Sequence, residues 1–443
     1  LADFPIIGPG RNPQMLRDPN IVAVDLTPVL PGGENGGAKV FVLELLRGLA
    51  AQAPQMRFVL LTRVETHDEL AVLDGPNVER RLVLGAAQPT PARPALWVRV
   101  AHRLARYLPG RIRALASRAG YRLMRHRRRA AAPGLLQGIG AELLFCPFTA
   151  PTYAEPGVPV VSVVHDLQYL SYPQFFEAAD IGHRDQVFRA ACNEATLLVA
   201  ISDYARDSVI RQAAIAPDRV RTIHHRLGKR LGSAAGPDES VLARLGLARG
   251  RYLVYPANFW KHKNHEMLLT AFGIAAHGGL PQDMRLVCTG APGARRDFLA
   301  QAADAMGLGS RVVFPGYVPT EALAALLGNS AGMVFPSLYE GFGMPVIEAM
   351  AAGVAVACSN ATSLPEIATG AALLFDPRIP GQIAAAMLEL VNDPARRADL
   401  VAAGLERAAG FSDAGRMADE YRDAFRQAMG QALPRPGRGG AGA

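Results

Sequence analysis

Short apolar runs alternate with helical patterns along most of the chain, and this alternation restricts the possible fold more than any other feature of the sequence. Such runs, rich in Val, Leu, Ile and Ala, are typical of strands buried on both faces of a parallel sheet. Strands separated by helices predict an α/β fold with parallel sheets. The predicted strands are Ile21–Asp25, Phe58–Leu61, Leu143–Cys146, Val160–Val164, Leu197–Ile201, Val220–Ile223, Tyr252–Tyr255, Arg285–Cys288, Val312–Phe314, Gly332–Phe335 and Val354–Ala357.

A polar, Gly-containing stretch at 228–239 divides these runs into two series. The chain has 443 residues, enough for two or three domains of roughly 150 residues each. We therefore predict two doubly wound, Rossmann-like domains that face each other across a cleft, with ligands at the carboxyl ends of the strands. The predicted units are an N-terminal domain at 1–230, a C-terminal domain at 231–411, a helix at 412–432 that packs back toward the N-terminal domain, and a flexible tail at 433–443.

The positive charge of the chain is concentrated in one segment. The 47 Lys+Arg and 39 Asp+Glu give a formal net charge of +8. Twelve arginines and no acidic residue lie between Arg93 and Arg129, so this segment carries +12 and the remainder −4. Apolar residues at near-helical spacing, broken at Pro109-Gly110, predict an insertion of two basic amphipathic helices at 93–130. Such helices bind anionic lipid surfaces, although a solvated helical face is the alternative.

The remaining composition narrows the class of protein. No nucleic-acid motif accompanies the basic segment, so we expect no nucleic-acid partner. The four cysteines lie far apart and form no zinc pattern, and we expect neither a metal site nor disulfides. The sequence has neither a leader nor a long apolar stretch, which predicts a cytoplasmic protein. The basic helices predict that it is peripheral at the inner face of the plasma membrane.

The segment Phe335 to Gly353 is the most informative for chemistry. A predicted strand ends at Pro336, a loop with Gly341 and Gly343 follows, and Pro345 suits the first turn of a helix. The amides and positive dipole at such a helix start favour an anion such as a diphosphate. The segment also carries two carboxylates. Glu340 lies in the loop, where an ordinary surface charge is the simpler interpretation. Glu348 lies one turn into the helix, where the simpler interpretation is a charge that complements the helix dipole.

Together these residues resemble the E-x7-E signature of glycosyltransferase family 4, whose members are retaining enzymes with the two-domain GT-B fold. Further matching segments are Pro256–Phe272, Gly316–Leu323, Ser363–Glu366 and Leu374–Pro377, so the resemblance is strongest over 250–380. It implies transfer of a hexose from a nucleotide-diphosphate sugar to an acceptor hydroxyl. The run His165-Asp-Leu-Gln-Tyr169 resembles mannosyltransferases and similar hexosyltransferases and favours GDP-mannose as the donor, and the basic helices favour a lipid-linked glycan as the acceptor. No metal or other cofactor is implied, and no DxD motif occurs near the implied site.

The resemblance also implies roles for individual residues. Glu340 would contact the donor sugar, Glu348 the ribose, and Lys263 the diphosphate, whose charge develops as the glycosidic bond breaks. His165, at the end of a predicted strand, would contact the transferred sugar. Further donor-binding positions would be Gly341, Phe342, Gly343, Met344, Val318, Asn258, and Gly36 and Gly37 of a Gly-rich loop.

One departure from the family pattern and two competing interpretations qualify this assignment. Many relatives carry an arginine where this chain has Ala257 or Asn258, so Lys261 would supply the second positive charge, unless it is a solvated loop lysine. A non-catalytic nucleotide-sugar or lipid-binding protein on the same fold is the alternative function. Gly328-Asn-Ser330-Ala-Gly332 fits the hydrolase pattern G-x-S-x-G, but the predicted helix precedes the serine and the predicted strand follows it, the reverse of that motif.

Overall fold

The computed structural model describes residues 17–32, 36–85, 110–227 and 240–431, and within 110–131 it describes the side chains of 119–130. Two parallel sheets form the framework, as the alternation predicts. The first has the strand order β3-β2-β1-β4-β5-β6-β7. Its strands are β1 (Ile21–Asp25), β2 (Arg57–Arg63), β3 (Val78–Leu84), β4 (Leu143–Cys146), β5 (Val160–Val164), β6 (Leu197–Ala200) and β7 (Val220–Thr222).

The second sheet has the order β10-β9-β8-β11-β12-β13, again with every described pair parallel. Its strands are β8 (Tyr252–Pro256), β9 (Arg285–Thr289), β10 (Val312–Gly316), β11 (Gly332–Phe335), β12 (Val356–Ser359) and β13 (Leu373–Phe375). In both sheets the chain order reverses next to the first strand of the sheet, at β1/β4 and at β8/β11. These two points are where doubly wound sheets bind ligands.

Helices cover both faces of the sheets. Those of the first half are α1 (Gly37–Gln52), α2 (Val64–His67), α3 (Gly110–Ala131), α4 (Leu135–Ile139), α5 (Gln168–Ser171), α6 (Ala178–Glu194) and α7 (Asp203–Ala213). Those of the second half are α8 (Ser240–Arg244), α9 (His265–His277), α10 (Ala294–Ala305), α11 (Thr320–Gly328), α12 (Met344–Ala351), α13 (Leu364–Ala368), α14 (Pro380–Asn392), α15 (Pro394–Ala409) and α16 (Ala414–Gly430). Short 3-10 turns occupy Glu69–Leu73, Pro173–Phe175, Pro217–Arg219 and Lys261–Lys263.

The last helix, α16, packs on the first sheet although it follows the second in the chain. The rings of Tyr421 and Phe425 meet Phe145 of β4 at centroid distances of 5.6 and 5.2 Å. At the crossing, the Leu227 amide donates to the Phe411 carbonyl at 2.8 Å. The segments that leave and re-enter the first half are therefore bonded to each other. The linker predicted at 228–239 and the tail at 433–443 lie outside the described residues.

The structure corrects several predicted elements. The strand predicted at Val354–Ala357 begins only at Val356, because Gly353 adopts a left-handed φ of 69° and the Val354 amide still bonds the helix carbonyl of Ala349. Strands β3 and β13 were not predicted; both lie at sheet edges, where apolar patterning is weak. Ser330 lies between α11 and β11, as the sequence predicts, so it is not in a hydrolase elbow.

The basic segment is a helix where the structure describes it, but its face is not wholly solvated. Helix α3 starts at Gly110, at the predicted break, and the first predicted basic helix falls on residues outside the described ranges. Arg125 and Arg129 both form ion pairs with Glu194 of α6. Arg122, Leu123 and Arg127 are exposed. Among the described helices, none has the length and apolar character needed to cross a membrane.

Asp25, the last residue of β1, is a buried carboxylate. Its Oδ1 accepts hydrogen bonds from the Thr27 amide at 3.0 Å and the Thr27 hydroxyl at 2.6 Å. Among the described groups, Oδ2 has no hydrogen-bond partner. Burial raises the pKa of Asp25 from 3.8 to about 6. Because folding favours the protonated form, the stabilisation from this group is present at acid pH and is lost as the pH rises through about 6.

Replacing Asp25 with asparagine is therefore expected to stabilise the protein at neutral pH, since the amide keeps an acceptor for Thr27 and removes the buried charge. We expect a gain in the free energy of unfolding of about 2 to 3 kcal/mol near pH 7.5, shrinking to about 1 kcal/mol near pH 4.5. Urea unfolding at the two pH values measures the gain. Asp68→Asn, at an exposed position, serves as the control. A gain that is absent at pH 7.5 contradicts the account.

Candidate active site between the two domains

Lys263 and Glu340 form an ion pair at the β8/β11 reversal point of the second sheet. Lys263 ends the 3-10 turn after β8, and Glu340 lies in the loop after β11. The Lys263 Nζ lies 2.6 Å from a Glu340 carboxylate oxygen, and each side chain is only 12% exposed. The Tyr255 hydroxyl donates to the Lys263 carbonyl at 2.8 Å, and the Glu340 amide donates to the Thr362 hydroxyl at 3.0 Å. Both charged groups thus stand on loops that are fixed by hydrogen bonds.

The loop from Glu340 to Met344 enters helix α12 through a left-handed glycine. Gly343 has φ 109°, and a Cβ there would lie 2.6 Å from Leu364. The Ser363 hydroxyl donates to the carbonyls of Glu340 and Phe342 at 3.0 and 2.8 Å. Helix α12 starts at Met344 and directs its N-terminal end, with its positive dipole, toward this loop. Glu348 lies one turn into this helix and is buried, with only 5% of its surface exposed.

His165 lies directly across the cleft from this loop. Its Nε2 is 2.8 Å from the Pro147 carbonyl, which can only accept, so Nε2–H donates. Burial lowers the pKa of His165 below its usual value, which leaves the ring neutral near pH 7. The protonated Nε2 leaves Nδ1 as a hydrogen-bond acceptor. A neutral acceptor of this kind suits a sugar hydroxyl better than an anion.

The two domains are in close contact at Gly341. A Cβ on Gly341 would overlap the carbonyl oxygen of His165 and lie 3.2 Å from the Asp166 Cβ. The Ser202 hydroxyl, at the start of α7, donates to the Gly341 carbonyl at 2.7 Å. It also accepts from the Ala205 amide, the capping role expected for a serine in this position. Glycine at 341 is thus required by contact between the domains.

Gly36, in the described part of the Gly-rich loop of the N-terminal half, reaches the same cleft. Gly36 has φ 55° and precedes α1, which begins at Gly37. A Cβ at Gly36 would be 3.6 Å from the Trp260 ring of the opposite domain. Lys39 is buried and donates to the carbonyls of Leu30 and Gly32 at 3.0 and 2.8 Å. These bonds fix the start of the loop.

Three further predicted donor-binding residues lie in the turns after β8 and β10. Lys261 is exposed at the start of its turn. The Asn258 carboxamide oxygen accepts from the Ala291 amide at 3.0 Å, so it ties together the turns after β8 and β9. Val318 is partly buried just beyond β10. His262, beside Lys263, was not singled out from the sequence. Burial lowers its pKa to about 4, and its ring lies 5.6 Å from that of Trp260.

Sequence reasoning also missed an interdomain cluster around Glu366. Its carboxylate accepts from the amides of Asp203 and Tyr204 at 2.9 and 3.1 Å, which are the first residues of α7. It also meets His224 Nε2 at 2.6 Å. Burial raises the pKa of Glu366, but these hydrogen bonds outweigh it and lower the pKa below the usual value. A carboxylate from one domain thus caps a helix of the other.

The same cluster is the group of described residues whose geometry could hold a metal ion. The ligand atoms of Asp203, His224 and Glu366 lie within 4.8 Å of one another. In the structure they are engaged with each other, with helix amides and, for Asp203, with the Thr222 hydroxyl at 2.6 Å. The residues are far apart in the sequence, and no spacing pattern indicates their proximity.

Two family models match the chain, and their matches follow its two halves. Residues 35–225 match the model described as Glycosyltransferase Family 4, and residues 244–407 match Glycosyl transferases group 1. The O-antigen chain mannosyltransferase B of Escherichia coli is 31% identical over 57% of this chain and 66% of its own length. The alpha-maltose-1-phosphate synthase of Mycolicibacterium smegmatis is 31% identical over 57% of this chain and 68% of its own length. The matched stretches thus span about two thirds of these relatives.

Solved structures share the fold across nearly the whole chain. The sucrose-phosphate synthase of Thermosynechococcus elongatus superposes with a TM-score of 0.68 at 21% identity, covering 92% of this chain and 98% of that one. WaaG, a glycosyltransferase involved in lipopolysaccharide biosynthesis, superposes with a TM-score of 0.63 at 14% identity, covering 91% and 99%. These likenesses establish the GT-B architecture. With both halves matched by the family models, the chain belongs to glycosyltransferase family 4.

Proposed function

We propose that this chain is a retaining glycosyltransferase that moves a hexose from a nucleotide-diphosphate sugar to a hydroxyl of a lipid-linked glycan in polysaccharide or cell-envelope synthesis. The observation that carries the proposal is the Lys263–Glu340 pair, buried at the strand-order reversal beside the start of α12. The same place in the cleft brings together a cation, a carboxylate and a helix N-terminus. These are the groups needed to bind a diphosphate and a sugar.

In the proposed complex each residue has a distinct task. The Lys263 ammonium moves from Glu340 to the diphosphate, and Glu340 accepts hydrogen bonds from the sugar hydroxyls. The loop Gly341–Met344 offers backbone amides to the phosphates, and Glu348 holds the ribose. His165 Nδ1 accepts from a hydroxyl of the transferred sugar. Gly36, Gly37, Asn258, Lys261 and Val318 remain proposed donor contacts, with Asn258 acting through the turn that it shares with Ala291.

We propose front-face attack as the chemical step. The acceptor oxygen forms its bond to the anomeric carbon on the side from which the phosphate leaves, and the departing phosphate oxygen takes the acceptor proton. Charge accumulates on the diphosphate, where Lys263 and the α12 dipole stabilise it. The residues proposed for this step need no metal ion, and closure of the domains excludes water.

The donor that we propose is GDP-mannose. It is supported by the names of relatives, which include the O-antigen chain mannosyltransferase B and the serotype-specific mannosyltransferase WbdA of Escherichia coli. A panel of radiolabelled GDP- and UDP-sugars with extracted membrane lipids as acceptor tests the donor and the acceptor together. We expect label from GDP-mannose in the lipid fraction, in a product with the anomeric configuration of the donor. An inverted product contradicts the retaining mechanism.

We further propose that the enzyme works as a peripheral protein at the cytoplasmic face of the membrane, through helix α3. Its exposed residues include Arg122, Leu123 and Arg127, which combine positive charge with an apolar side chain. Anionic headgroups attract each such arginine with about 1 kcal/mol. Arg125 and Arg129 serve a different purpose, because Glu194 holds them against α6.

Changing Arg122 and Arg127 together to glutamate is expected to weaken binding to vesicles of phosphatidylglycerol and phosphatidylcholine by at least about 30-fold. Co-sedimentation at low and high salt measures the partition coefficient. The double variant Arg47→Glu/Arg249→Glu makes the same change of net charge at exposed positions outside α3, and we expect it to bind almost as the parent does. Equal losses in the two double variants would argue against a specific role for α3.

A further inference from the structure

A cavity that is partly open to solvent lies between the domains, next to the loop that carries Glu340. Its volume is about 390 Å³, near the lower end of ligand pockets, which span roughly 300–1,000 Å³. Tyr172 and Tyr204 line it from the N-terminal half, and Tyr339, Thr362 and Arg378 line it from the C-terminal half. Because both domains supply walls, the cavity is complete only when the cleft is closed.

Hydrogen bonds fix the aromatic walls of this cavity. Tyr339 meets Tyr172 and Tyr204 edge to face, at centroid distances of 6.2 and 5.9 Å. Its hydroxyl accepts from the Leu167 amide at 3.2 Å. Arg378 donates to the Tyr172 hydroxyl at 2.7 Å, and that hydroxyl lies 3.3 Å from the Leu338 carbonyl, to which it donates. The tyrosines are therefore held in place before any ligand arrives.

The lining selects one class of ligand. No residue among those that line the cavity is acidic, which disfavours a metal ion. Phenol hydroxyls, a threonine hydroxyl and a guanidinium keep donor and acceptor positions beyond the hydrogen bonds that they make within the protein. An acyl chain would leave those further positions unused, and burying them unused costs free energy. A pyranose ring presents an apolar C–H face and a rim of hydroxyls. Aromatic surfaces with hydroxyl and guanidinium groups between them match both features of a sugar.

The cavity is connected to the proposed reaction through the backbone. Tyr339 directly precedes Glu340, and the Thr362 hydroxyl accepts from the Glu340 amide at 3.0 Å. Thr362 has φ 59°, a left-handed conformation that is uncommon for a threonine and concentrates at functional sites. A ligand in the cavity would therefore touch the same loop that carries the carboxylate of the donor site.

We propose that this cavity is an acceptor subsite that binds one sugar unit of the growing glycan next to the unit that is glycosylated. The role of the cavity in the reaction rests on the proposed function, whereas the inference that it binds a sugar rests on the residues that line it. An acceptor held by both domains favours the closed cleft. Binding of a longer acceptor glycan thereby favours the closed arrangement of the domains, in which donor and acceptor are aligned.

Saturation-transfer difference NMR tests the cavity without any donor. The probes are α-mannobiose, maltose and N,N′-diacetylchitobiose, mixed with the full-length protein. We expect at least one disaccharide to give a signal that falls at least fivefold in Tyr172→Phe/Arg378→Ala. Arg396→Ala, which removes an exposed arginine of α15, and Glu340→Ala, which alters the proposed donor site, should keep the signal. Should the double variant unfold, Arg378→Ala alone carries the same comparison, because that side chain is 59% exposed.

Three results would overturn the subsite: a double-variant signal within twofold of the parent, an equal loss in Glu340→Ala, or no disaccharide signal from the parent protein. The proposed function fails separately. If the parent protein binds a disaccharide but turns over no donor, the proposed transferase function is contradicted and the proposed sugar-binding cavity is not. A protein that turns over donor but binds none of the three disaccharides contradicts the cavity alone.

Discussion

Replacing Lys263 with alanine is expected to lower kcat/KM for the donor by about 100- to 1,000-fold, the range seen when one charge-stabilising group is removed from an active site. In the structure the Lys263 ammonium lies 2.6 Å from Glu340 and is almost buried. When the donor binds, this ammonium faces the diphosphate, whose negative charge grows as the glycosidic bond breaks. The loss should therefore appear mainly in kcat, because the interaction strengthens in the transition state.

The loss of the ammonium also leaves Glu340 without its partner, so folding must be checked separately. Removing one member of a buried pair destabilises more than removing both. The variant Lys263→Ala/Glu340→Ala is therefore expected to unfold at a higher temperature than Lys263→Ala, while remaining inactive. Arg251→Ala removes a cation from an exposed ion pair with Asp283 in the same domain and should keep full activity. Full activity in Lys263→Ala would contradict the role of Lys263 in stabilising the diphosphate.

Replacing Gly341 with alanine is expected to lower kcat/KM by at least about 100-fold, for a steric reason. The added Cβ would overlap the backbone carbonyl of His165 in the opposite domain. Backbone cannot turn away as a flexible side chain can, so the domains must separate to make room. A displacement of about 1 Å between reacting groups costs roughly 100-fold in rate. The added methyl group lies at a contact between the domains and not within either sheet, so the melting temperature should fall by only a few degrees.

Gly381→Ala is the matched control for Gly341→Ala. Gly381 lies in the first turn of α14, and a Cβ there meets no atom within 4 Å among the described residues. Steady-state kinetics of both variants, together with thermal unfolding, separate blocked closure from general destabilisation. Activity of Gly341→Ala within threefold of the parent would mean that the contact with His165 does not form in the working enzyme.

The fold could be predicted because local patterns of apolar and polar residues indicate its strands and helices. Buried strands such as Leu197–Ala200 form unbroken apolar runs, and parallel sheets need helices between their strands. The family resemblance added the chemistry at Glu340 and Lys263, which lie 77 positions apart. Both follow strands next to the point where strand order reverses, so the topology brings them to one edge of the sheet.

What could not be predicted depends on contacts between distant segments. Glu366 caps α7 of the other domain, and Arg125 binds Glu194 of a neighbouring helix. Neither contact has a signal in spacing or periodicity, since each arises only when the closed fold places the partners together. The edge strand Val78–Leu84 mixes charged and apolar residues because it has one neighbouring strand, and apolar patterning alone misses such a strand.

Release of nucleoside diphosphate from a donor panel tests the central claim most directly. The parent protein is incubated with GDP-mannose, UDP-glucose and other nucleotide sugars, with and without extracted membrane lipids, beside Lys263→Ala. We predict GDP release from GDP-mannose that the lipids accelerate and that falls about 100- to 1,000-fold in the variant. A protein that binds GDP or UDP but releases nucleotide from no donor, with or without lipids, would be a binding protein on this fold and would contradict the account.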